Sequence, residues 1–206
     1  MLIGISLGPG DPELLTIKAA ATLKRCDKVY VPGEMAADLA RPHCDPVVLQ
    51  FPMIKDRSEL ERIWRENAMT VADAAASGLA GFACIGDVNT FSTFSHLERV
   101  IRSIRPGIEI DTIPGVGVVP CAASRFSVAL DGSFEVSDGS AVQSVVRLKA
   151  TRPRELAEEL SRRGFGHFIL GSMICTAQER IIRGGAPEDL PEKSDYFSVL
   201  LARREI

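Results

Sequence analysis

The sequence predicts an α/β protein in two parts: a parallel-sheet N-terminal half, then a half of different rhythm. Three observations carry this. Short apolar runs alternate with helix-like stretches as far as residue 113, the runs close in turns rich in glycine and proline, and the alternation stops after Pro114-Gly115. The division is therefore placed near Gly115, giving segments 1–114 and 115–206.

In chain order, Leu2 to Leu7 reads as a short buried strand ended by Gly8-Pro9-Gly10. Asp11 followed by Pro12 is a helix-start signal, a capping side chain before the residue best tolerated at the first helical position. Leu14, Ile17, Ala20, Ala21 and Leu23 then keep helical spacing, and Lys28 to Val31 is the next strand. Ser58 to Ala76 is the clearest helix: Ser58 and Glu61 have capping-box spacing, Leu60, Ile63, Trp64, Val71 and Ala75 share a face, and Gly78 stops it. Gly81 to Ile85 is a central strand ending in Gly86-Asp87, Ser92 to Ser103 a helix, and Ile108 to Ile113 a strand broken by Pro114-Gly115. Beyond it come a small-residue helix from Val118 to Ser127 and a strand over Gln143 to Lys149. A charged helix from Arg154 to Arg163 follows, then strands at Phe168 to Leu170 and Tyr196 to Ala202.

Composition excludes several classes. At 206 residues with 46% hydrophobic and 25% charged content, the chain can bury a proper core, and no segment runs 18 apolar residues as a membrane span would. The net charge of −3 argues against a nucleic-acid partner. Cys26, Cys44, Cys84, Cys121 and Cys175 are scattered, odd in number and never Cys-x-x-Cys, so neither a disulfide framework nor a metal site is indicated; His43, His96 and His167 are equally dispersed. The opening Met1-Leu2-Ile3-Gly4 lacks a basic stretch, and a reducing cytoplasm is the default setting.

Leu7-Gly8-Pro9-Gly10-Asp11-Pro12 brings backbone close to something. Gly4, Gly8 and Gly10 do not spell the dinucleotide fingerprint, proline removes an N–H that a phosphate would want, and Glu34, placed to hold a ribose, reads as loop beside Pro32-Gly33. Gly86-Asp87 and Pro114-Gly115-Val116-Gly117 end two further strands. Ligands of open α/β sheets bind outside such carboxyl ends, so three small-residue turns could form one crevice.

The stretch Gly-Ile-Ser-Leu-Gly-Pro-Gly-Asp-Pro-Glu-Leu-Leu-Thr-Ile-Lys-Ala-Ala from Gly4 closely resembles the opening motif of the tetrapyrrole methylase family. Gly86-Asp87-Val88 through Thr93 and Pro114 to Ala123 resemble its second and third motifs. Phe51-Pro52-Met53 with Trp64, Phe91-Ser92-Thr93-Phe94 and Asp195-Tyr196-Phe197-Ser198 resemble the family's precorrin-2 carbon-20 methyltransferases. Val88 stands where the family usually has proline, Gly117-Val118 where it favours Ser or Thr, and Asp131 to Val142 is shorter than usual.

The resemblance implies a two-domain α/β homodimer with a parallel N-terminal sheet, a mixed C-terminal sheet and an active-site cleft between them. It implies S-adenosylmethionine (SAM) as methyl donor and a tetrapyrrole as substrate. Carried over by position, Pro9, Gly86, Asp87, Thr90, Ser92, Thr93, Gly117, Val118 and Leu148 would surround the cofactor, with Pro9 and Asp11 facing the tetrapyrrole. Methyl transfer to an electron-rich ring carbon forms no oxyanion, so a dry, aligning site is what the chemistry needs. One proton remains to be handled; Asp11 is the candidate, with helix capping as its plain alternative. Asp87 would hold a cofactor hydroxyl or ammonium, or serve as a turn aspartate. The substrate's carboxylates want arginine forks, for which Arg57, Arg125, Arg147 and Lys149 are candidates beside the reading of solvated surface charge. Two alternatives stay open: another acceptor within the family, and a binding module without turnover.

Overall fold

Strand runs that are apolar at nearly every position need cover on both faces. The computed structural model, which describes residues 1–52 and 56–204, provides it. β1 (Leu2–Ser6), β2 (Lys28–Val31), β3 (Pro46–Val48), β4 (Ala80–Cys84) and β5 (Ile110–Ile113) pair in the order β3-β2-β4-β1-β5, every pair parallel. Leu2 is level with Ala80 and Ser6 with Cys84, so β1 and β4 finish side by side.

On one face, α1 (Ile17–Leu23) and α2 (Glu34–Ala40) set Ala19, Leu23, Ala37 and Ala40 against Ile5, Val29, Val31 and Ala83. On the other, α3 (Arg57–Ser77) and α4 (Thr93–Ile104) set Val71, Ala72, Phe94, Leu97 and Ile101 against Leu2, Tyr30 and Phe82. The helix after β1 and the helices around β4 thus cover opposite faces. The chain leaves these two neighbours in opposite senses, which makes their carboxyl ends the topological switch point.

Local chemistry shifts several expected boundaries. Asp11 caps only a 3₁₀ turn, Pro12–Leu14; Thr16 then caps α1 by accepting from the Ala19 amide, so the single helix expected from Pro12 is broken in two. Ile17, expected on the buried stripe, is 90% exposed in consequence. The Ser58–Glu61 capping box is replaced by Asp56, whose carboxylate takes the Ser58 and Glu59 amides. Glu34, read as loop, opens α2. Phe51 packs on Trp64 with ring centres 4.5 Å apart, while Met53 of the expected Phe51-Pro52-Met53 motif lies outside the described residues.

Two compact units divide the chain, Met1–Phe134 and Glu135–Ile206. The turn at Gly115 does not separate them. The Gly115 amide is bonded to Asp87 of the first unit, so α5 (Val118–Arg125) follows within that unit. The second unit holds β6 (Ser144–Leu148), α6 (Pro153–Ser161), β7 (His167–Ser172), β8 (Arg180–Gly184) and β9 (Ser198–Arg203). Its sheet, β6-β9-β7-β8, is antiparallel throughout rather than mixed. α6 buries Ala157 and Leu160 against Phe168, Leu170, Leu200 and Ala202. Among the described residues no helix is long and apolar enough to cross a membrane.

Gly4 decides how α4 seats on β1, because a Cβ there would stand 2.6 Å from the Phe94 ring. Gly4→Ala is expected to destabilise the protein by about 1–3 kcal/mol through overpacking, with part recovered when Phe94→Leu is added. Denaturant melts of the two single variants and the double check this; strictly additive losses would show that the contact does not matter.

Candidate functional site

Three strand ends meet at one buried hydroxyl. Ser6, the last residue of β1, is 0% exposed; it donates to the Ile113 carbonyl at 2.7 Å and accepts from the Val88 amide at 2.8 Å. β1, the loop after β4 and the end of β5 are thereby held together. Gly8 and Gly86, both at positive φ, bring the two loops close enough for the Gly86 amide to bond the Gly8 carbonyl at 2.6 Å. Ser6 carries a single signal in the sequence, a lone hydroxyl in an apolar strand, and nothing local marks its role.

Asp87 completes the arrangement. One carboxylate oxygen accepts from the Asn89 amide and the Thr90 hydroxyl, each at 3.0 Å, and the other from the Gly115 amide at 3.0 Å. Both oxygens are engaged in shaping the loops, and Thr90 is engaged with them. Gly117, the N-cap of α5, lies alongside: a Cβ there would sit 3.8 Å from that of Asp87. Val118 next to it is 69% exposed.

Ser92 caps α4 by accepting from the Phe94 amide at 3.1 Å. With Thr93 and Phe91 it borders a hollow of about 340 Å³ whose other wall is Pro32 to Ala36, a segment that carries no family motif. Cys84 also lines it; burial pushes this thiol up to about 11, so it stays neutral and is no nucleophile. Pro9 is half-buried on the first loop. Asp11 accepts from the Glu13 amide at 3.0 Å through one oxygen only. Arg57 and Arg125 are exposed, on the first turn of α3 and the last turn of α5, and border none of the described hollows.

In the second unit, Leu148 and Lys149 border an apolar hollow of about 520 Å³ with Met173, Tyr196 and Phe197. The Lys149 ammonium lies 5.4 Å from the centre of the Tyr196 ring, and hydrogen bonding to Tyr196 holds its pKa above the usual lysine value. Arg147 is paired with Glu159 at 3.3 Å, an acid shared with Arg163.

The profile of the Tetrapyrrole (Corrin/Porphyrin) Methylases matches residues 1–188, and the chain belongs to this family. It is 26% identical to a probable cobalt-precorrin-2 C(20)-methyltransferase of Methanocaldococcus jannaschii, over 98% of this chain and 95% of that one. It is 30% identical to the cobalt-precorrin-2 C(20)-methyltransferase of Salmonella typhimurium over 63% of this chain and 58% of that one. Among solved structures, the methyltransferase CobJ has the same fold, with a TM-score of 0.54 at 18% identity over 98% of this chain and 93% of that one.

Asp87→Ala removes the acceptor of two backbone amides. Amide exchange at Asn89 and Gly115 is expected to accelerate by about fivefold, each bond contributing on the order of 1 kcal/mol, while exchange at Phe82 in β4 stays unchanged. Hydrogen-exchange mass spectrometry reads this directly, and unaltered exchange at Gly115 would rule out the tie.

Proposed function

We propose that this chain transfers a methyl group from SAM to carbon 20 of precorrin-2 or cobalt-precorrin-2, giving the corresponding precorrin-3 in cobalamin biosynthesis. The observation that carries the reading is likeness along almost the whole length to a relative named for that reaction. The family membership supports methylation of a tetrapyrrole in general.

The residues present suit the methyl donor. At Gly10 and Gly86 no atom lies within 4 Å of where a Cβ would stand, so backbone is open to a ligand. Ser92 and Thr93 bring hydroxyls to the first unit's hollow, and Leu148, Met173 and Phe197 give the second unit an apolar seat for a flat ring. With Pro9, Asp87, Thr90, Gly117 and Val118 these are the proposed cofactor positions. SAM supplies a sulfonium-bound methyl group to the ring carbon. The chain's part is to hold carbon and methyl in line and keep water out, worth effective molarities of roughly 10⁵–10⁸ M. Asp11 keeps one carboxylate oxygen without a partner among the described residues, and it is the proposed group for a pyrrole N–H or the departing proton. Arg57 and Arg125 have no ion pair among the described residues and suit substrate carboxylates. Arg147 and Lys149 would first have to exchange Glu159 and Tyr196.

A homodimer in the cytoplasm completes the proposal. Exposed Phe126 and Val128 give a second copy apolar surface to cover, and a reducing setting suits five free thiols.

The deciding experiment is an anaerobic incubation with methyl-labelled SAM and precorrin-2, with and without cobalt, read by mass spectrometry and carbon NMR. Label at carbon 20 is expected. Label at another carbon points to a sister activity of the family, and SAM binding with no transfer to either ring points to a binding module.

A further inference from the structure

A further hollow of the second unit, at its edge strand, is cationic. It measures about 490 Å³ and is bordered by Ser172, Arg180, Lys193, Ser194 and Asp195 with aliphatic side chains of β7 and β8. Ser172 and Arg180 are directly opposite each other in the β7–β8 ladder, so both side chains stand on the same face of the sheet. Neither Arg180 nor Lys193 makes an ion pair among the described residues, whereas Arg147, Arg154 and Arg163 in the same unit each have a glutamate.

Beneath the two cations, the hydroxyls of Ser172, Ser194 and Ser198 form a triangle with sides of 3.1, 2.8 and 2.8 Å. Ser198 is 1% exposed and Ser172 6%, so these hydroxyls have little access to water and satisfy one another. Three hydroxyls carry three hydrogens for three contacts. Ser194, the half-buried member, can turn its hydrogen into the hollow while accepting from Ser198, which in turn accepts from Ser172; only the longest contact, Ser172–Ser194 at 3.1 Å, is then left without a hydrogen. The hollow therefore offers a guanidinium fork, an ammonium and a neutral O–H donor to one ligand. Asp195 is the single acid on its border, leaving a net charge of +1 there. Two cations and a hydroxyl suit an oxyanion, and a carboxylate matches the guanidinium geometry.

We propose that this hollow binds one carboxylate of the acidic tetrapyrrole, with Arg180 and Lys193 as its cations and Ser194 as its hydroxyl donor. This rests on the function proposed above, and it assigns the substrate's charge to residues outside the family motifs.

Titration with uroporphyrin III, a stable octacarboxylate, tests the site without turnover, following the porphyrin absorbance. Arg180→Gln and Lys193→Gln are each expected to raise Kd by about three- to tenfold, and the double variant by more. Asp195→Asn removes the competing acid and is expected to tighten binding. All three positions are exposed, and thermal melts matching the parent establish that the variants fold. No uroporphyrin binding by the parent, or an unchanged Kd in the double variant, overturns the proposal. The methyl-transfer assay separates the two claims. Transfer to carbon 20 with an unchanged KM for precorrin-2 in the double variant removes the hollow and keeps the function. Loss of uroporphyrin binding in the double variant, with no transfer by the parent, does the reverse.

Discussion

The hydroxyl of Ser6 is the contact on which the ligand-facing end of the first unit depends. It is fully buried and has both a donor and an acceptor role filled, one toward the end of β5 and one toward the loop after β4. Removing it would leave the Val88 amide and the Ile113 carbonyl without that partner, at about 1–3 kcal/mol for each group left unsatisfied away from water. Its neighbours conform to it. A Cβ on Gly115 would come within 2.4 Å of the Ser6 side chain, so only glycine lets the third turn close over it. From the far side Asp87 takes the Gly115 amide, and the same carboxylate folds the 87–90 turn. Polar side chains at this end are spent on shaping backbone, and the backbone thus shaped is what a ligand would meet.

Such an arrangement suits displacement at a methyl group better than acid–base or nucleophilic chemistry. The one thiol bordering the first hollow is buried and neutral, with Ser92 and the Phe94 amide against it rather than a base. The loops are instead fixed by hydrogen bonds at three strand ends, and positioning is what the reaction asks of them. The second unit contributes differently: an apolar hollow beside Leu148 and Lys149, and a charged one at the β7–β8 edge. Aromatic and cationic groups serve both, through Tyr196 at the first and Arg180 at the second.

Much of the first unit could be read from the chain because its signals are local. Buried strands appear as apolar runs, and Gly8, Gly86 and Gly115 sit where backbones approach. What escaped was decided by partners far off in sequence. β8, Arg180–Gly184, is an edge strand in which two adjacent isoleucines stand between Arg180 and Arg183 with little burial, so it carries no apolar alternation. Glu34 opens a seven-residue helix that is stabilised by packing Ala37 and Ala40 on the sheet rather than by its own start signal. Arg147 and Lys149 were legible as cations near motifs, but nothing local announced that Glu159 and Tyr196 already engage them. The serine triangle joins positions 172, 194 and 198 across two strands and a loop, a relation visible only once β7 and β9 are paired.

The departures from the family pattern bear differently on whether turnover has been lost. Proline, usual in the family at position 88, has no N–H and could not donate to Ser6. Valine supplies that donor, is itself fully buried, and closes the knot that holds the loop, so the change comes with its own compensation. Gly117 is a different matter: the space beside Asp87 would admit a side chain, and nothing in the structure explains the glycine. The hydrogen bonds at the strand ends thus fix the loop in one conformation. The loop that carries Val88 is held by three strand ends, a buried hydroxyl and a fully engaged carboxylate, and that degree of fixation is what an aligning role demands.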